Sequence, residues 1–505
     1  MTVLEGQDIF VEDFIKQEEL IKDSLQPSEI QKFYENSTIL LTGATGFLGK
    51  ILLEKLLRSC PKIKTIYVLL RCKKGKSIEK RMEEEFKEPI YEMLLRKYPN
   101  CMEKIKLINS DLSQDEILSP EDRKKLIKDV SIVIHCAATV RFDEKLRHAF
   151  KTNVNSTKYF LTMAKEMKNL KVFIHVSTAY SNCVLREIPE KVVKHKYNYK
   201  KMNDLINSID DDLLDKITPQ ILDNWTNTYV FTKSIAEGTV QEYGKGLPVG
   251  IFRPSIVIST YREPLRNWVN NYYGPQGVVF GAGIGLLRTF LCDENNIADM
   301  VPVDMVCNAI IAMAWDVAQI KNENPNFEQL TWKDDVKDDN NSNDNDNDDL
   351  IVMNYVSSNK NPISWGKFLD LNYEFRHESY SKVMLWHSSL TLMKAYEKIH
   401  RFSKIIAYFC LNTWKFEEKA TTNLWNKMSD KDKEIFFFNI EELDWNFYLR
   451  NYLKGLRVYL AKDDLSTLPE GRRKAKKLFI AHYTLVTLLY LLGLYILWRI
   501  YSIIF

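Results

Sequence analysis

The sequence predicts an α/β fold: a doubly wound parallel sheet, a smaller and mostly helical C-terminal region, and a transmembrane helix at the C-terminal end. Three observations predict it. Short apolar runs alternate with amphipathic stretches up to about residue 260, the pattern of a parallel sheet covered on both faces. A glycine-rich octet, Thr42-Gly43-Ala44-Thr45-Gly46-Phe47-Leu48-Gly49, sits where the first run ends and a helical pattern begins. From Leu478 to Leu497 about 20 residues carry no permanent charge, long enough at about 1.5 Å per residue to cross a bilayer core of about 30 Å.

Ser37 to Leu41 reads as a short buried strand, and Lys50 to Arg58 continue Phe47 and Leu48 with apolar residues at helical spacing. A strand, a glycine turn and a helix start make a phosphate seat. Glycines let the backbone approach a pyrophosphate, and free N–H groups with the helix dipole offset its charge. Further strands are expected at Thr65 to Leu70, Ile105 to Asn109, Val130 to His135, Val172 to Val176, Val249 to Phe252 and Val352 to Ser358. Ligands of such a sheet bind outside the carboxyl ends of the strands. The candidates are Gly43 to Leu48, Arg71, Asp111 and Leu112, Ala137 to Thr139, Ser177 and Thr178, and Pro254 and Ser255.

At 505 residues the chain exceeds one typical compact core, and a formal charge of +3 gives no general basic field for nucleic acid. The 8 cysteines form no C-x-x-C pair and no cysteine–histidine cluster at metal-ligand spacing, which fits a reduced, cytosol-facing protein with no metal. Residues 1–35 read as an N-terminal extension without the basic start and apolar centre of a secretion signal. Asp334 to Asp349 reads as a disordered acidic surface insertion. Its Asp344-x-Asp346-x-Asp348 imitates a calcium loop but has Asp349 where glycine is needed and Tyr355 where glutamate is needed. From about Tyr380 the chain becomes helical and aromatic. Arg472-Arg473-Lys474-Ala475-Lys476-Lys477 precedes the apolar run and is expected to stay on the cytosolic side, giving a single-pass tail anchor in the endoplasmic reticulum or peroxisome membrane. A buried core helix or an interfacial amphipathic helix are the alternatives.

Tyr229 and Lys233 stand four apart, so on a helix they share a face. A nearby cation favours the phenolate and makes the phenol a better acid, which suits proton delivery to a carbonyl receiving hydride. Ser177 or Thr178 would donate to the developing oxyanion. Strand alternation puts them on opposite faces, and the sequence does not choose between them. Arg71 stands where an NAD site usually carries an acid, and with Lys73, Lys74 and Lys76 it suits the 2′-phosphate of NADPH.

At these residues the chain resembles the extended short-chain dehydrogenases, and within them the fatty acyl-CoA reductases. Thr42 to Gly49, Tyr67 to Arg71, His135 to Phe142, Asn153-Val154-Asn155, His175 to Tyr180 and Tyr229-x-x-x-Lys233 recur in that order in the family, followed by Arg253-Pro254-Ser255, Gly274-Pro275 and Val301 to Asp304. Phe438 to Trp445 and Tyr448 to Tyr459 are similar to the family's C-terminal helical domain. The resemblance implies a Rossmann-type domain over 36–375, a helical domain over 376–470 and a basic cluster with tail anchor over 471–505. It implies reduction of a long-chain fatty acyl-CoA to a primary alcohol with two NADPH, through an aldehyde. Tyr229 would be the acid, Lys233 would hold the ribose and tune Tyr229, and Thr178 would orient the carbonyl. NADPH would lie among Thr42, Gly43, Thr45, Gly46, Phe47, Leu48, Arg71, Asp111, Leu112, Ala137, Thr139, Asn153, Ser177, Tyr229, Lys233, Pro254 and Ile256. Tyr272 to Phe290 is the candidate lining of an acyl tunnel, and Cys183 is expected to be structural. A nucleotide-sugar epimerase or dehydratase, and a membrane-anchored NADPH-binding scaffold, are the rival readings.

Overall fold

The computed structural model describes residues 28–73, 75–287, 290–323, 350–385 and 406–504. Lys74, the acidic stretch 334–349, residues 1–27 of the N-terminal extension and 386–405 of the expected helical domain lie outside them. Seven parallel strands form the main sheet: β1 (Thr38–Thr42), β2 (Thr65–Leu70), β3 (Ile105–Asn109), β4 (Ile132–His135), β5 (Val172–Val176), β7 (Val249–Pro254) and β10 (Ile351–Tyr355). Their order is β10-β7-β5-β4-β1-β2-β3, so the winding reverses beside β1. Two small parallel pairs lie outside it, β6 (Glu187–Ile188) with β11 (Lys415–Phe416) and β8 (Ile256–Ile258) with β9 (Met300–Pro302). The strands lie where the apolar runs put them, with shifts of one to three residues at some ends. β10 stops short of Ser358 because the Ser357 amide turns away to donate to Asp299 Oδ1 at 2.8 Å.

The central strands are buried along their whole length, as strands covered on both faces must be. Alternation sorts their side chains. Leu41, Val68 and Ile134 face the helices Phe47–Ser59 and Val303–Glu323, while Leu40, Tyr67, Val133 and Phe173 face the helix Ser156–Ala164. The helical C-terminal region completes the first of these faces: Leu424, Tyr448 and Tyr452 belong to the same hydrophobic cluster as Leu41 and Ile134. Polar clasps reinforce the union, with Tyr355 donating to the Phe438 carbonyl at 2.7 Å and Tyr448 to the Ser259 carbonyl at 2.9 Å.

The last helix, Leu468–Ile504, leaves this body. Among the described residues it is the one helix long and apolar enough to cross a membrane. Leu488, Leu491, Leu494 and Trp498 are 57–63% exposed, and Gly471 is its one buried residue, so it is no core helix.

Candidate active site at the carboxyl ends of the strands

The glycine loop leaves β1 through Gly43, whose φ of 76° is the left-handed conformation that glycine adopts without strain. A Cβ there would stand 2.9 Å from the Ala137 Cα and N, so the loop lies flush against the end of β4. The helix Phe47–Ser59 starts at Gly46 with no side chain capping its first turn. Its leading amides are thus available to an anion. This cradle, too tight for a Cβ, fits the pyrophosphate of a dinucleotide.

Several residues expected around the cofactor also hold the loops at the strand ends in place. Thr42 is fully buried; its hydroxyl accepts from the Ala137 amide at 3.1 Å and lies 2.9 Å from His135 Nδ1. Asn153 accepts from the Thr139 amide at 2.9 Å and donates to the Thr139 carbonyl at 3.2 Å and Thr232 Oγ1 at 3.0 Å. Its amide is spent on holding the Thr139 loop against the helix Thr228–Tyr243. Ser177 donates to Glu237 Oε1 at 2.5 Å, within a buried network in which Arg253 grips Glu237 at 2.9 and 2.7 Å. Phe47 turns its ring onto Trp268, with centroids 5.7 Å apart. Arg71 stays half-exposed at the end of β2, 3.7 Å from Asp111 at the end of β3. The Asp111 side chain also accepts from the Ser113 amide at 3.0 Å.

Asn227 caps the helix Thr228–Tyr243 through the Val230 amide at 3.1 Å, which sets Tyr229 in its first turn and Lys233 one turn on. Lys233 is 2% exposed, and its Nζ donates to the Val176 carbonyl at 2.7 Å, at the very end of β5. Burial lowers this ammonium to about 8. Burial pushes the Tyr229 phenol up to about 12, and the Thr178 hydroxyl acts in the opposite direction. Phe142 stacks on the Tyr229 ring at 5.8 Å. Of the two candidate hydroxyls, Thr178 is the one that meets Tyr229, because Ser177 is committed to Glu237. Cys183 is buried, and burial raises its thiol to about 12, which disfavours the reactive thiolate.

The sequence reading missed the wall opposite Tyr229. Phe409 packs on Phe142 at 5.7 Å and on Tyr180 at 5.2 Å, and Trp414 meets Tyr180 at 5.3 Å. Tyr229 and Ile256 pack against this cluster, so a segment some 180 residues downstream closes one side of the centre. Its aromatic composition was the available signal, but nothing in its spacing says where it folds.

Fold and site together define an oxidoreductase of the extended short-chain dehydrogenase type, built to hold a nicotinamide cofactor. Two family models described as male sterility protein match, one an NAD-binding domain over residues 41–310 and the other over 381–463. The chain is 36% identical to "Fatty acyl-CoA reductase wat" of Drosophila melanogaster, across 96% of this chain and 95% of that protein. It is also 36% identical to "Fatty acyl-CoA reductase 1" of Homo sapiens, across 94% and 93%. The chain belongs to the fatty acyl-CoA reductase family. Among solved structures, the reductase domain of a nonribosomal peptide synthetase from Mycobacterium tuberculosis superposes with a TM-score of 0.55 over 90% of this chain and 99% of that one. At 18% identity it shows the shared fold alone.

Proposed function

We propose that this protein reduces a long-chain fatty acyl-CoA to the primary alcohol, using two NADPH, releasing CoA and passing through the aldehyde. The carrying observation is that Thr178 meets Tyr229 and that Lys233 donates to the last carbonyl of β5, at the same strand ends as a cradle fit for a dinucleotide, in a chain of this family. NADPH would supply the hydride that each reduction consumes, held by the Gly43 to Leu48 loop, with Arg71 at the 2′-phosphate. Thr178 and Tyr229 direct two hydroxyls at the carbonyl oxygen, where charge grows as the carbon is reduced. The first adduct collapses as the CoA thiolate leaves. In the second reduction the Tyr229 phenol, held protonated by burial, gives its proton to the alkoxide. Lys233 keeps a positive charge beneath the site and orients the cofactor ribose.

Tyr229→Phe removes the donated proton and keeps the ring packing. It is expected to abolish NADPH oxidation and thiol release with palmitoyl-CoA while cofactor binding, followed by fluorescence, stays within about twofold. Retained turnover would show that another group is the acid. Thiol release absent at every acyl length, with a sugar nucleotide converted instead, would favour the epimerase reading. Arg71→Ala is expected to raise the KM for NADPH about tenfold, the scale of one charge-assisted contact, and to leave NADH almost unaffected.

The helix Leu468–Ile504 supports a tail anchor, with Arg472 to Lys477 at the cytosolic face of an endoplasmic reticulum or peroxisome membrane. An anchored enzyme takes its substrate and leaves its alcohol beside lipid.

A further inference from the structure

We propose that the acyl tail of the substrate lies in an apolar groove of about 350 Å³ that opens beside the root of the Leu468–Ile504 helix. The proposal rests on the reading of the protein as a fatty acyl-CoA reductase. The volume falls within the roughly 300–1,000 Å³ of small-molecule sites. Phe280 and Ile284, Met384, Leu456, and Leu478 with Phe479 bring hydrocarbon to it from four separate stretches of chain. Of the two arginines in its lining, Arg457 is paired with Asp463 at 3.2 Å, and Arg376 donates to the Tyr373 carbonyl and lies over the Tyr373 ring.

The groove is built, not left over. The Leu385 amide donates to the Ile284 carbonyl at 2.7 Å, tying two of its walls together. A Cβ at Gly471 would fall 2.1 Å from the Tyr380 carbonyl oxygen, so the helix root is pressed onto the same stretch that carries Leu385. One helix relates the groove to the proposed catalytic end. The helix Pro275–Gly283 begins at Gly274, beside Ile256 of the cluster that packs on Tyr229, and ends in the groove. Those 9 residues span about 13 Å. On the far side, Leu478 and Phe479 are both groove wall and the first turn of the expected membrane span. A hydrocarbon chain thus passes from bilayer to groove without entering water, each methylene so shielded being worth about fourfold in binding.

Gly283 lines the groove and has nothing within 4 Å of a built Cβ, so Gly283→Phe adds a ring at the groove with no clash at its Cβ. Ala282→Trp adds bulk from the neighbouring lining position. Both are expected to lower kcat/KM for stearoyl-CoA at least about tenfold and to leave octanoyl-CoA within about twofold. Equal losses at both lengths, or none, would overturn the proposal. A wild-type protein inactive on every acyl-CoA would instead sink the reductase reading on which it rests. A palmitoyl-CoA carrying a diazirine at its terminal carbon gives a readout independent of these variants. Its crosslinks are expected within 279–285 or 475–482. Crosslinks confined elsewhere, or a phospholipid retained in the groove while the probe labels another region, would place the tail outside it.

Discussion

Lys233 sets the pH behaviour of the site. Burial lowers its ammonium to about 8 and raises the Tyr229 phenol to about 12, so between those values the acid keeps its proton while the cation loses its charge. The falling limb of kcat/KM, which reports the free enzyme, is expected near pH 8 and belongs to Lys233. Lys233→Arg is expected to remove that limb while lowering the plateau; a limb that persists unchanged would assign it to another group. Burial depresses a cation here, so the unfolded chain binds the proton more tightly. Stability from this residue therefore rises as pH climbs through about 8 toward the ordinary lysine range.

At the scale of elements, β7 and the helix Thr228–Tyr243 are joined by Arg253 and Glu237, both at most 1% exposed. Removing one partner of such a pair strands a buried charge. Glu237→Ala is expected to cost about 3–5 kcal/mol, read as a fall in the denaturation midpoint, and to free the Ser177 hydroxyl. Loss of less than about 1 kcal/mol would mean that water reaches the network. The terminal helix makes a separate prediction. Deletion of residues 472–505 is expected to move the protein from membrane to soluble fractions with octanoyl-CoA turnover retained. Continued sedimentation with membranes would assign anchoring to another surface.

Across the whole molecule, a buried charge cluster joins the nucleotide-binding half to the helical region. Lys55 donates to Glu263 at 2.6 Å and to the Ile435 carbonyl at 2.6 Å, and Arg58 meets Glu263 at 2.8 Å. Asn308 bridges Glu263 and the Phe437 carbonyl, both at 2.9 Å. Burial raises the Glu263 carboxyl, but Lys55 and Arg58 outweigh it and bring it down to about 2. A depressed carboxylate stabilises the fold above the ordinary glutamate range and loses that effect as pH falls toward about 2. Glu263→Ala is expected to lower the melting of both halves together in one transition; two separated transitions would show that the halves fold independently.

The repeating apolar runs placed the strands, because strands covered on both faces are written as continuous hydrophobic stretches. The glycine octet and the pair Tyr229 and Lys233 stood out in the sequence, since each is a short motif whose chemistry depends on local spacing. The alternation of Ser177 and Thr178 foretold that only one of the two would touch substrate, and the structure commits Ser177 to Glu237 and sets Thr178 on Tyr229. Spacing puts Lys233 on the same helix face as Tyr229, but the direction of a pKa shift depends on burial, which spacing does not reveal. The aromatic wall of Phe409 and Trp414, the Lys55–Glu263 cluster and the groove beside the terminal helix were beyond sequence reading, because each joins residues far apart in the chain. The sequence by itself determined the fold class and the glycine turn from strand to helix, and it supplied the groups proposed to react, because these signals are local and periodic. Tertiary structure alone decided what surrounds those groups, because desolvation and packing are set by neighbours that chain order does not reveal.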